Sequence, residues 1–435
     1  MRNRRMTQRA AAIAACALTA VTALSACGSS GPDNQLTWFI NPDGGGADPK
    51  GGGQAQLAAQ CTAASNGDYA IKVEILPNSA SDQRQQVLRR LAAADSSMDL
   101  MSLDPVFVAE FAEPGYLAPV PAQYEQTFVA DAVNPIVESS RWKDKLVGAP
   151  MWANTQLLWY RKSVAQAAGL DMTKPVTWDQ IIAAAQSQKK LIGVQARLYE
   201  GYMVWINALI EGAGGHVITA NPDNAKTMEL GLSSEAGRQA ATVIKKVADT
   251  GVGGPAVGST NETTSLDFFL AEDTSGFMLN WPYVWAATAK ANPGMVSDIG
   301  YTRYPQTVAG EDSKPPLGGI VLGVNAASTK KDKAWKALQC LTSAESQKTY
   351  MLGTGNPAAR KSVYDDAKVK EMFPMADLIR TSLDDGAPRP LTQYYGDVST
   401  AIQKTYSPPN SVDPGSTGRA AEELIKAVLK GEALL

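Results

Sequence analysis

The sequence predicts an α/β protein built as two lobes around a shared cleft, and three observations predict it. The first is length: 435 residues suffice for two or three ordinary domains. The second is the regular alternation of strand-like and helix-like segments after residue 35, the pattern of an α/β fold with a mainly parallel sheet. The third is residues 148–161, GAPMWANTQLLWYR. Gly148-Ala149-Pro150 reads as a turn, and Leu157-Leu158-Trp159-Tyr160 as a short buried strand. Between them lies Asn154, whose amide needs partners if it is buried. We read this stretch as a crossover between lobes, with Trp152 and Asn154 facing the cleft. The alternative is an ordinary strand with a polar edge.

Taken in order, residues 36–40 (LTWFI) read as the first strand. Residues 41–53 follow with glycine at 44, 45, 46, 51, 52 and 53, a mobile loop suited to a cleft rim. No Gly-Lys-Ser/Thr follows it, which argues against phosphate binding. Residues 69–76 (YAIKVEIL) alternate as a strand, and Ser81 is placed to cap the helix carrying Val87, Leu88 and Leu91. Residues 98–103 form a strand ending at Asp104-Pro105. Ligands bind beyond the carboxyl ends of strands in such sheets, so Asp104 has a functional reading; it is equally placed to cap the helix from residue 106. Both roles can hold at once.

After the crossover, helices are expected at 181–187, 202–210, 233–250 and 265–270, with a short strand at 192–196. Residues 276–279 read as a strand that runs into Asn280-Trp281-Pro282, an aromatic at a strand end. Residues 299–304 and 318–325 (GGIVLGVN) are two more strands; Gly318-Gly319 would let a ligand approach the backbone closely. A helix at 330–341 and a largely helical remainder, broken at 353–357, 386–390 and 407–414, complete the chain.

Composition excludes several functions. A hydrophobic fraction of 44% with 19% charged residues supports packed cores and argues against disorder. The net charge of −3 becomes more negative once Arg2, Arg4, Arg5 and Arg9 are removed, and no basic stripe remains to track a nucleic acid. A single histidine, His216, in an apparent turn, leaves little room for a His-based triad or a His/Cys metal site. No metal and no cofactor are expected. Carboxylates are plentiful, but nothing in the sequence pairs two of them as a glycosidase would need.

Aromatic and amide chemistry is left. Of nine tryptophans, Trp152 and Trp281 stand out because each lies close to an asparagine where the apolar strand pattern stops. A sugar ring offers an apolar C–H face to an indole and hydroxyls to carboxylates, amides and guanidinium groups. Trp152, Trp281, Asp104, Asn154, Glu262 and Arg389 make such a set if the lobes bring them together.

The N-terminus carries a targeting pattern. Four arginines precede an uncharged run over residues 10–26, too short and Ala-rich for a good transmembrane helix. Leu24-Ser25-Ala26-Cys27 resembles the lipobox of bacterial lipoproteins, which implies loss of residues 1–26 and acylation of Cys27. A plain secretory peptide with a stray cysteine is the alternative. Residues 27–35 would then tether the protein to the outer face of the cell membrane. Cys16 leaves with the signal, so Cys61 and Cys340 are the remaining thiols in an oxidising compartment. They are expected to form a disulfide between helices at 54–64 and 332–342, two buried free thiols being the alternative.

The lipobox, residues 111–119 (FAEPGYLAP), 176–179 (VTWD), 318–325 and 355–360 (GNPAAR), in that order, resemble the extracytoplasmic sugar-binding proteins of ABC transporters. Within that group, residues 102–104 (SLD), 154–161 (NTQLLWYR), 280–282 (NWP) and 389–390 (RP) resemble the trehalose-binding lipoproteins of actinobacteria, as do the positions of Cys61 and Cys340. The resemblance implies a periplasmic-binding-protein-like fold with hinge-linked lobes that close on a disaccharide and hand it to a membrane permease. It implies a monomer without enzymatic activity, and sugar contacts at Asp104, Asn154, Glu262, Trp281, Gly319 and Arg389. The expected lobes are residues 36–150 plus 286–342 and residues 151–285 plus 343–435. Two other functions are weighed against transport: a secreted glycosidase using the same cleft, and a cell-wall adhesin or structural lipoprotein.

Overall fold

The computed structural model describes residues 33–271 and 273–435. The signal segment, Cys27 and most of the expected tether lie outside the described residues. Two sheets form the two lobes. The first has the strand order Ala70–Ile75, Gln35–Ile40, Leu100–Leu103, Leu317–Val324, Ala149–Thr155. The second runs Ile299–Thr302, Leu157–Arg161, Ser275–Asn280, Leu191–Gly193. Period-2 alternation sorts the first strand: Leu36, Trp38 and Ile40 face a layer shared with Leu57, Trp335 and Leu338, while Phe39 packs in the other core.

The crossover is as abrupt as a chain allows. Ala149–Thr155 is an edge strand of the first sheet, Leu157–Arg161 lies in the second, and Gln156 alone separates them. Gly148-Ala149-Pro150 is not a turn, because Ala149 and Pro150 are already in the strand. An edge position and a register shift opposite Ile320 and Val321 accommodate the proline, which has no N–H to give the ladder.

Three further expectations are corrected. The sheets are mixed rather than mainly parallel. Leu317–Val324 runs antiparallel to both its neighbours and Leu157–Arg161 to both of its own, because these strands arrive from the other lobe and not through a βαβ crossover. The lobe limits also shift. Ile299–Thr302, expected in the first lobe, pairs with Leu157–Arg161, where Tyr301 meets Trp159 edge-on with ring centroids 6.2 Å apart. The segment after residue 343, expected in the second lobe, returns to the first. There Tyr350 packs against Trp152, the Ala153 N–H donates to Pro357 O (3.2 Å), and Gln347 Nε2 donates to Pro150 O (3.3 Å). Finally, Ser79 rather than Ser81 caps the Ala80–Ala92 helix, accepting from the Asp82 N–H.

Cys61 on Gln54–Ala64 and Cys340 on Lys331–Leu341 are joined in a disulfide. Both helices pack in the first lobe.

One ion pair ties the second sheet to its flank. Asp298 accepts from Arg161 Nε (2.7 Å), the Ser163 N–H (2.8 Å) and Ser163 Oγ (2.8 Å). Partial burial raises the Asp298 carboxyl, but the Ser163 N–H, Arg161 and the Ser163 hydroxyl outweigh it and hold the group below the usual carboxylate range. A lowered folded-state pKa contributes stability above the unfolded value, near pH 4, and that contribution is lost as pH falls through the folded value. Asp298→Asn is therefore expected to cost about 1–2 kcal/mol at neutral pH and to flatten the acid side of the stability profile. Urea titrations at pH 7 and pH 3 check this, since an equal loss at both would deny the linkage.

Candidate functional site

A cleft of about 360 Å3 lies between the lobes, and all seven residues singled out from the sequence line it: Asp104, Trp152, Asn154, Glu262, Trp281, Gly319 and Arg389. Each is placed by a local device. Asp104 follows the Leu100–Leu103 strand and accepts from the Val106 N–H (3.3 Å), so the cap reading and the cleft reading both hold. Asn154 uses its amide oxygen on the Thr155 N–H (3.0 Å), which leaves its NH2 group as the donor.

Gly319 has φ +124°, and a Cβ there would stand 2.3 Å from Trp152 O, so only glycine fits. A Cβ on Gly318 would meet the Trp281 ring at 3.1 Å. The bare backbone of the first lobe thus lies against an indole of the second.

On the second lobe, Asn261 and Thr264 form a capping box that starts the Glu262–Leu270 helix. This sets Glu262 at the cleft, where its carboxylate accepts from Tyr199 OH (2.7 Å). Burial, and then the Glu262 charge, push the Tyr199 hydroxyl pKa far up, so it stays a donor. Asn280, fully buried, ties the two binding elements together. Its Nδ2 donates to Glu262 O (3.0 Å) and its Oδ1 accepts from the Trp281 N–H (2.9 Å). The polar residue of Asn280-Trp281-Pro282 is thus a brace, and the tryptophan is what reaches the cleft.

Arg389 links the lobes. Its Nη2 donates to Asp104 Oδ1 (2.8 Å) and its Nη1 to Glu200 Oε1 (2.6 Å). Burial alone would lower the Arg389 pKa, but Asp104, Tyr395 and Glu200 raise it, so the charge is permanent. Burial raises Glu200, opposed chiefly by Arg389. Three polar atoms on cleft-lining residues are buried without a partner among the described residues: the donors Trp152 Nε1 and Arg389 Nε, and the acceptor Asn41 Oδ1.

The sequence reading missed Tyr199, Glu200, Tyr283, Asn41, Asn78 and Gln83, all of which line the cleft. Asn356, within the 355–360 stretch, also lines it. The glycines of residues 44–53 do not line it. Asp43 gathers that loop by accepting from the Gly45, Gly46 and Gln54 N–H groups at 2.8–3.2 Å, and only Asn41 and Pro42 before it reach the cleft.

A larger groove of about 520 Å3 shares only Arg389 with the cleft. Its walls are mostly apolar and proline-rich, and its His216 and Glu211 pair with each other at 2.9 Å. It brings together none of the other sequence-derived site residues. Among the described residues no cluster of His, Cys, Asp and Glu could hold a metal ion, and no helix is long and apolar enough to cross a membrane.

Residues 56–375 match the family described as bacterial extracellular solute-binding protein. A probable ABC transporter-binding protein of Deinococcus radiodurans is 25% identical over 355 residues, 76% of this chain and 80% of that one. A probable amino-acid ABC transporter periplasmic-binding protein of Sinorhizobium fredii is 26% identical over 315 residues, 69% of each chain. The fold is similar to that of maltose-bound T. maritima MalE3, with a TM-score of 0.76 and 23% identity over 92% of this chain and 100% of that one.

Proposed function

The chain belongs to the bacterial extracellular solute-binding protein family, and we propose that its solute is a sugar, a disaccharide of the trehalose or maltose class, delivered to the permease of an ABC importer. A solute-binding protein is not an enzyme, so the glycosidase reading is set aside, and the adhesin reading with it.

The names of the relatives point to two ligand classes, amino acids and maltose. The observation that carries the sugar reading is the charge of the cleft. A zwitterionic amino acid is held most simply by a free cation for its carboxylate. Arg389 is the one cation lining the cleft among the described residues, and Asp104 and Glu200 already neutralise it. An uncharged polyol needs what the cleft has in surplus: carboxylate and amide oxygens for its hydroxyls and buried donors for its oxygens. Trp281 supplies an apolar surface for a C–H face, and the volume lies in the range of small-molecule sites.

In this reading the lobes close around the sugar by hinge motion at Gln156 and the other crossings, excluding water so that hydroxyls find partners on both sides. Only the better fit of the sugar to the closed form shifts that equilibrium. Acylated Cys27 would hold the protein at the outer face of the cell membrane, beside its transporter.

Titration calorimetry of the purified protein tests the assignment. Trehalose or maltose is expected to bind. Trp281→Ala should weaken binding roughly 30-fold, the ~2 kcal/mol of an aromatic anchor. Heat with amino acids and none with α-glucosides would reverse the choice.

A further inference from the structure

Glu200 opens the Glu200–Glu211 helix at the cleft wall, yet its carboxylate has no capacity left for a ligand. Oε1 accepts from Arg389 Nη1 and from Tyr395 OH, and Oε2 accepts from Ser399 Oγ (2.7 Å) and Gln403 Nε2 (3.4 Å). Four donors fill the roughly four acceptor positions that a carboxylate offers. Tyr395, Ser399 and Gln403 recur every fourth residue along one face of the Tyr395–Tyr406 helix, and the last two are bonded to each other at 2.8 Å. The cage is therefore built on two packed helices, and Glu200 is 7% exposed within it.

Such a buried ion pair is a poor device for stability alone, because apolar residues of the same volume would serve as well or better. Its geometric consequence is specific. Glu200 and Asp104 each take one terminal nitrogen of Arg389, one from either lobe, which fixes the guanidinium plane. That leaves Nε buried and without an acceptor on a residue that lines the cleft.

We propose that Glu200 is a positioning residue: it and its Tyr395–Ser399–Gln403 cage hold Arg389 so that the Nε–H edge is presented to a ligand oxygen while Nη2 engages Asp104 of the opposite lobe. The inference rests on the sugar reading of the cleft. Its consequence is that changes on the Tyr395–Tyr406 helix at Ser399 and Gln403, which do not line the cleft, alter sugar affinity through one guanidinium group.

The test uses the full chain, trehalose and maltose as probes, calorimetry for affinity, and 15N-resolved NMR of the Arg389 side chain. Glu200→Gln removes the charge and keeps the shape; Tyr395→Phe removes one cage donor and no charge, and serves if the first variant does not fold. Glu200→Gln is expected to weaken binding about 10- to 100-fold, the scale of a misplaced contact group, and Tyr395→Phe several-fold. The Arg389 Nη protons are expected to be distinct in the wild type, where each terminal nitrogen is held, and to average through faster rotation in both variants. A folded variant with wild-type affinity overturns the inference, and so does lost affinity with an unchanged Arg389 spectrum. A wild-type protein that binds neither sugar fails the reading of the cleft and this inference with it. Wild-type binding that survives in a variant fails the inference alone.

Discussion

Arg389→Met is expected to remove sugar binding to below detection at millimolar ligand while the protein stays folded. Truncating one partner of a buried, hydrogen-bonded charge pair costs about 2–5 kcal/mol, or roughly 30- to 5,000-fold in affinity. Arg389 has such a partner on each lobe, and it is the one cation lining the cleft among the described residues. Its loss removes the donor at Nε and the bond that draws Asp104 toward the second lobe. It also leaves Asp104 and Glu200 as two carboxylates without the charge between them. Glu200 already has a raised pKa from burial, with Arg389 the main opposing influence, so the variant raises it further. A raised folded-state pKa contributes stability below the unfolded value and loses it as pH rises through the folded value. The variant should thus be most stable at mildly acid pH and decline toward neutrality more steeply than the wild type. Calorimetry and thermal melts between pH 5 and pH 8 check both parts. Full affinity in the variant would mean that the cleft does not hold its ligand through Arg389.

What the sequence disclosed about this site, and what it hid, divide along a physical line. Trp152 and Asn154 were readable because the contradiction that marks them is local: an amide and an indole stand where an interior strand is ending. Gly319 was readable because a doubled glycine at the start of an apolar strand suits close approach of a ligand to the backbone; the structure adds a second cause, the approach of Trp152 O. Arg389 and Glu262 entered as side chains whose chemistry suits a sugar, a donor and an acceptor for hydroxyls, and resemblance to a family added weight to both. Glu200 carried no signal. A glutamate in the first turn of a helix looks like an ordinary partner of the helix dipole, and its significance lies in contacts with residues 189 to 203 positions away. Tyr199 likewise becomes a site residue only through Glu262, 63 positions on.

The fold shows the same division. Strand and helix positions followed from periodicity, and the crossover at Gln156 followed from a break in it. Strand partners did not. Ile299–Thr302 has an apolar pattern suited to either sheet, and its placement beside Leu157–Arg161 is decided by packing against Trp159. The return of residues 344–358 to the first lobe rests on Tyr350 and Trp152, whose contact no local window contains. The lobe limits erred at these two places for that reason.

Cys61→Ala/Cys340→Ala is expected to destabilise the protein by about 3–5 kcal/mol while leaving sugar affinity unchanged. The bond spans 279 positions of sequence, and in the chain-entropy model closing so long a loop in the unfolded chain is worth about 5 kcal/mol, with measured values commonly lower. Because the linked cysteines begin and end most of the chain, the constraint falls on the unfolded ensemble of both lobes. In the folded protein it has a narrower reach. Gln54–Ala64 and Lys331–Leu341 both pack on the first lobe, and neither cysteine lines the cleft. The bond therefore joins two helices of one lobe, does not bridge the lobes in space, and puts no restraint on closure. The two expectations separate cleanly in experiment. Urea titrations should give a lower midpoint for the variant and for the reduced wild type, with at most a small rise in slope as the unfolded chain expands. The rise in melting temperature on adding saturating sugar should stay that of the oxidised protein when differences in unfolding entropy are taken into account, because it reflects ligand affinity and not chain topology. A change of sugar affinity beyond about threefold on reduction would place the disulfide in the closing motion, and the rigid-lobe account of the hinge would have to be abandoned.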